Sequence, residues 1–140
     1  MKDLGRLNYF LGIEVTKTAA GMYLSQLKYI ADLLAKHNMA DCSPVLTPMS
    51  TGHYLTKGSG NVISNVSQYR SAVGALQYVT LTRPEIVFSV NKLSQFLASP
   101  TTEHLEACKR LLRYLKGTIH FGLHFYHYGT MQINCFSDSD

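Results

Sequence analysis

The sequence predicts an α+β fold, and three observations predict it. Apolar residues alternate with a period of two near the N-terminus, over Asn8–Val15, and again near the C-terminus, from Phe121 onward. Between residues 67 and 117 the period lengthens to that of a helix. Pro, Gly, Ser and Thr gather between residues 39 and 60, separating the first strands and helix from the rest. Strands at the two ends with helices between them give segregated layers rather than βαβ alternation. The chain has 140 residues, one ordinary domain, and 46% hydrophobic residues can fill its core. Charged residues reach only 16%, below the usual ~25%, which implies apolar surface left for a neighbour such as the rest of a larger protein.

In the first strand Tyr9, Leu11, Ile13 and Val15 share one face. Ala19-Ala20-Gly21 turns the chain and Met22-Tyr23-Leu24 returns antiparallel, making an N-terminal β-hairpin. Ser25 is expected to cap a helix over Gln26–Asn38, with Leu27, Ile30 and Leu34 inward and Asp32 paired to Lys36 outside. Met39–Gly60 reads as an extended crossing followed by a mobile loop. Three helices follow. Tyr69, Val73, Leu76 and Thr80 mark Ser67–Thr80, where Gly74 suggests a close helix contact. Pro84 opens the next helix, Ile86, Val90, Leu93 and Leu97 line it, and Pro100 ends it. Thr102 caps the third, and Gly117 stops it. A C-terminal β-hairpin is expected from Phe121–Phe125, a Gly129-Thr130 turn and Met131–Ser137.

A net charge of +4 permits nucleic-acid binding without requiring it. No apolar run approaches the ~18 residues of a membrane helix. The first residues, Met1-Lys2-Asp3-Leu4-Gly5, are not a signal peptide. The expectation is therefore an intracellular protein with no membrane partner. Cys42, Cys108 and Cys135 are odd in number and far apart, which fits three buried thiols in a reducing compartment better than disulfides or zinc. His120 and His124 share a strand face without a clear third ligand.

Three constellations could carry function. On the third helix Lys109, Arg113 and Lys116 stand at i, i+4 and i+7, flanked by Arg110. Such a ridge can track a phosphate backbone, although spacing alone favours a solvated helix face. In Tyr9-Phe10-Leu11-Gly12-Ile13 a glycine among aromatics can admit a nucleic-acid strand close to the backbone, whereas spacing favours a bulge or packing glycine. In Phe136-Ser137-Asp138-Ser139-Asp140, two carboxylates follow an apolar strand and could hold a divalent metal, while a frayed acidic terminus explains them as simply. The other carboxylates form no metal-loop pattern, which leaves a stand-alone metal-dependent nuclease poorly supported.

Four stretches resemble the Pol polyprotein of copia-type retrotransposons along essentially the whole chain. They are Met1-Lys2-Asp3-Leu4-Gly5 with Tyr9-Phe10-Leu11-Gly12-Ile13-Glu14-Val15; Leu24-Ser25-Gln26 with Lys28-Tyr29-Ile30; Tyr69 to Tyr78 running on through Thr82-Arg83-Pro84-Glu85-Ile86; and Arg110-Leu111-Leu112-Arg113-Tyr114-Leu115-Lys116-Gly117-Thr118. The resemblance implies the C-terminal part of a reverse transcriptase. Residues 1–40 would be the end of the palm with the primer-grip hairpin and a helix, 41–65 a linker, 66–118 a helical thumb or connection, and 119–140 the incomplete start of ribonuclease H. No YVDD-like pattern of polymerase carboxylates occurs.

By this resemblance Phe10, Leu11 and Gly12 would grip the primer. Lys109, Arg110, Arg113 and Lys116 would contact the duplex backbone. Asp138 would be the first metal-binding carboxylate of ribonuclease H, complete only with downstream residues. The parent enzyme would be an RNA-directed DNA polymerase using Mg²⁺, acting in a cytoplasmic particle or the nucleus. This fragment alone would need no cofactor and be inactive, positioning an RNA–DNA hybrid or DNA duplex beside the rest of Pol. The alternative is a stand-alone non-catalytic nucleic-acid-binding module.

Overall fold

The computed structural model describes residues 8–52 and 54–127. The alternating N-terminal stretch is broken by a tight reversal. Strand β1 (Tyr9–Phe10) ends at Leu11 and Gly12, whose φ angles of +49° and +83° make a two-residue turn of the type I′ kind, and β2 (Ile13–Thr18) runs back beside it. The expected single strand over Asn8–Val15 is thus a small hairpin, and alternation persists through it because a two-residue turn keeps the period. Ala19-Ala20 makes the next turn into β3 (Gly21–Ser25), as the sequence indicates.

Helix α1 (Leu27–Lys36) follows, and Ser25 does not cap it. Ser25 sits in the sheet opposite Glu14, and the Glu14 carboxylate, reaching from β2, accepts the Lys28 N–H at 3.1 Å. The helix ends early because Asn38 adopts φ +56° and the Met39 N–H bonds back to the Leu34 carbonyl, a Schellman-type stop. Ile30, Leu33 and Leu34 are its buried residues, and Leu27 is only half-buried. Lys36 does not pair with Asp32; its Nζ donates to Ser71 Oγ.

Residues 39–60 contain no helix or strand among those described. Helix α2 (Val66–Val79) is capped by the Asn65 side chain, which accepts the Gln68 N–H. Gly74 faces open space, so the close contact expected there is absent. Pro84–Ile86 forms a 3₁₀ turn leading into α3 (Val87–Ser94). That helix ends well before Pro100: the Ser94 hydroxyl bonds back to the Val90 carbonyl, and residues 95–97 tighten into i→i−3 hydrogen bonds. Arg70 takes up the Leu97 and Ala98 carbonyls that this ending frees.

Helix α4 (Thr102–Gly117) is capped by Thr101, one residue before the expected cap, in a reciprocal box in which His104 Nδ1 accepts the Thr101 N–H at 2.9 Å. The four helices pack as one core. Ile30, Tyr69, Val73, Leu76, Ile86, Leu111 and Leu115 are completely buried in it, each contributing roughly 1.5–3 kcal/mol where aliphatic.

Strand β4 (Leu123–Tyr126) pairs antiparallel with β3, Leu24 against Leu123 and Gly21 against Tyr126, giving one sheet among the described residues in the order β1-β2-β3-β4. The expected Gly129-Thr130 turn and Met131–Ser137 strand lie outside the described residues.

Candidate nucleic-acid interface

Two surfaces carry the residues singled out from the sequence, and a buried polar cluster connects the elements behind them. The first surface is the β1–β2 turn. Tyr9, Phe10 and Leu11 are 55%, 58% and 70% exposed, three large apolar side chains in a row at the tip of a hairpin. The tip is braced from behind. The Tyr78 hydroxyl of α2 donates to the Leu11 carbonyl, and Tyr78 meets Tyr29 of α1 edge to face at 5.1 Å. A Cβ added at Gly12 would sit 3.5 Å from both rings, so it is the positive φ that makes glycine the fitting residue there. Burial, with the neighbouring Tyr78, raises the pKa of the Tyr29 hydroxyl.

The second surface is the outer face of α4. His104, Cys108, Leu111, Leu112 and Leu115 are its buried residues, and Leu105 is half-buried. Lys109, Arg110, Arg113 and Lys116 stand outward as the spacing requires, but three of them are engaged. Arg110 Nη2 donates to Thr47 Oγ1 at 2.8 Å, Arg113 Nε to the Ser43 carbonyl at 2.7 Å, and Lys116 Nζ to the Ala40 carbonyl. Lys109 is exposed and makes no hydrogen bond to a described residue. A groove of about 570 Å³ is lined by Met39, Met49 and Leu55 together with Glu106, Lys109 and Arg110 of α4.

Sequence reasoning did not single out the cluster behind these surfaces. Arg83, directly before the 3₁₀ turn, is 1% exposed. Its Nε donates to Glu85 Oε1 at 2.6 Å, its Nη1 to the Thr118 carbonyl at 2.9 Å and its Nη2 to Thr118 Oγ1 at 2.5 Å. Its guanidinium also lies over the rings of Tyr114 and Phe121. Beside it, Gln26 is fully buried, accepting the Thr82 hydroxyl at 2.7 Å and donating to the Tyr78 carbonyl. Leu24-Ser25-Gln26, Thr82-Arg83-Pro84-Glu85 and Lys116-Gly117-Thr118 therefore meet in space. The available signal was their joint presence in the matching stretches, since a charged residue before a proline says nothing by itself about burial.

His104 is also buried. Its Nε2 bonds the Thr56 carbonyl at 3.1 Å and its ring stacks on Phe96 at 3.9 Å. Desolvation lowers its pKa, which keeps it neutral and able to accept at Nδ1. Burial pushes the Cys108 thiol up to about 12, leaving an inert core residue. Among the described residues no group of three or more His, Cys, Asp or Glu could hold a metal ion, and Asp138 lies outside them. No helix among the described residues is long and apolar enough to cross a membrane.

Residues 1–51 match the family described as "Reverse transcriptase (RNA-dependent DNA polymerase)". Over all 140 residues the chain is 46% identical to the Retrovirus-related Pol polyprotein from transposon RE1 of Arabidopsis thaliana. Over its whole length the chain is similar to the Pol polyproteins of retrotransposons. It is also 40% identical over 129 residues to the Pol polyprotein from transposon TNT 1-94 of Nicotiana tabacum, and 41% identical over 140 residues to an uncharacterized mitochondrial protein of Arabidopsis thaliana. The chain spans 10% of each of the two Pol relatives and 58% of the mitochondrial one. No solved structure matches.

Proposed function

We propose that this chain positions primer–template duplex, an RNA–DNA hybrid or DNA duplex, as the non-catalytic primer-grip and thumb portion of a copia-type reverse transcriptase–ribonuclease H. The observation that carries the reading is the 46% identity to a Pol polyprotein across the entire chain. The two surfaces fit it: a braced apolar hairpin tip formed by Phe10, Leu11 and Gly12, and a cationic helix face formed by Lys109, Arg110, Arg113 and Lys116. Cations on a helix face neutralise phosphates and release their condensed counterions without reading sequence. Nucleotidyl transfer with two Mg²⁺ ions belongs to the parent enzyme, and the described residues supply no ligand set for it. Asp138 takes the role of first ribonuclease H carboxylate only in a longer chain. The rest of Pol is the implied protein partner.

The test is a duplex-binding titration of the purified chain at several salt concentrations. If three or four cations meet phosphates, log K falls with log salt at a slope of about −3 to −4. A flat salt response would overturn the reading. In the same preparation a primer-extension assay is expected to give no template-dependent incorporation. A second reading, a stand-alone nucleic-acid-binding module, is favoured by the single core that all four helices share. It requires a protease-resistant monomer with the same salt slope, whereas aggregation of the isolated chain favours the portion of a larger enzyme.

A further inference from the structure

Residues 40–47 cross the face of α4 that the duplex reading needs. They bond to it at three points a helical turn or so apart: Ala40 to Lys116, Ser43 to Arg113 and Thr47 to Arg110. Two of the acceptors are backbone carbonyls and one is a hydroxyl, so neutral oxygens already take one donor from each of the cations that phosphate oxygens would use. Pro44 lies against Gly117, where an added Cβ would come within 2.9 Å of the proline Cβ.

The segment is anchored at its ends and by Cys42, half-buried against the core between them, and its other side chains are mostly exposed. Met39 is buried and Met49 half-buried against the core, while Leu46 is 96% exposed and residues 40–47 contain no helix or strand. A neutral acceptor holds an arginine less strongly than an anionic one, because charge-assisted hydrogen bonds are roughly twice as strong. Lys109, the ridge cation without such a bond, remains open to a first contact.

We infer that residues 40–47 form a strap that competes with nucleic-acid phosphates for Arg110, Arg113 and Lys116, so that duplex binding at the ridge requires the strap to lift between its Met39 and Met49 anchors. This regulation rests on the duplex-positioning reading above. The ridge then has two states. In the closed state the cations tie the loop to α4. In the open state they face the phosphate backbone, and the strap's oxygens return to water.

The experiment measures affinity of the full chain for a short RNA–DNA hybrid by fluorescence anisotropy at fixed salt, together with thiol alkylation resolved by peptide mass spectrometry. Lys109→Ala and Arg113→Ala test the ridge itself and should weaken binding. Thr47→Val removes one strap acceptor while leaving every cation in place, and should tighten binding about two- to tenfold. Gly117→Ala pushes Pro44 away and should tighten it as well; circular dichroism checks that both variants fold. Hybrid should also speed alkylation of the half-buried Cys42 thiol in the strap, while buried Cys108 stays unreactive. If the two cation variants weaken binding but Thr47→Val and Gly117→Ala do not tighten it, the strap is wrong and the duplex reading stands. Unchanged Cys42 alkylation on saturation with hybrid also overturns the strap. If the cation variants bind as well as the parent chain, the duplex reading fails and the strap inference falls with it.

Discussion

Arg83 and Arg113 are the same residue type in two opposite situations. Arg83 is buried, and all three of its nitrogens donate, to Glu85 and Thr118, between two aromatic rings. Arg113 stands half-exposed on α4 and donates once, to a loop carbonyl. The first guanidinium has fixed partners and joins the 3₁₀ turn to the end of α4. The second has donors to spare. A basic residue in a matching motif is thus not automatically a nucleic-acid contact, and counting its filled donors separates the two kinds.

The largest expected effect breaks the buried arginine. Arg83→Ala removes three hydrogen bonds and leaves a void beside Thr118, and should cost roughly 2–4 kcal/mol by urea unfolding. A loss below ~1 kcal/mol would mean that the cluster is not a structural joint. Tyr69→Phe comes next. It strips the hydroxyl that donates to the buried Leu93 carbonyl at 2.9 Å, with an expected loss of about 1–2 kcal/mol. Arg113→Ala should change stability by less than ~1 kcal/mol, yet flatten the salt slope of duplex binding by about one unit. A stability loss matching that of Arg83→Ala would erase the contrast.

The smallest effect is a pH dependence. His104 and His37 both have lowered pKa values, desolvation being the main cause in each and the Lys36 charge adding to it for His37. The unfolded chain therefore binds their protons first. Their contribution to stability is complete above the ordinary histidine pKa of about 6.5 and is lost as pH falls from there through the folded values. His104→Gln should flatten part of that slope in denaturant midpoints measured between pH 7 and 5. A slope unchanged in the variant would show that the Thr101 cap does not depend on a neutral His104.

Much of this was legible in the sequence where structure is local. The repeat at Tyr69, Val73 and Leu76 locates α2, and Thr102 and Gly117 bracket α4, each to within a residue or two. The cations on α4 fall on the expected face for the same reason. What the sequence hid was non-local or non-periodic. The Leu11-Gly12 reversal leaves alternation undisturbed, and leucine at positive φ is a poor turn signal. The cap of α1 comes from Glu14 on another element. The strap over the basic ridge involves Ala40, Ser43 and Thr47, none remarkable for its type, and only the fold brings them to Lys116, Arg113 and Arg110.

The pairing of β3 with β4 has a consequence for synthesis. The two strands are neighbours in the sheet but lie roughly a hundred residues apart along the chain, and closing a loop of that size costs about 4 kcal/mol of chain entropy. The helices between them can make their contacts over much shorter separations, so they should assemble first. At the ~5–20 residues per second of translation, the edge of β3 then waits several seconds, unpaired and open to other strands, until residues 123–126 leave the ribosome.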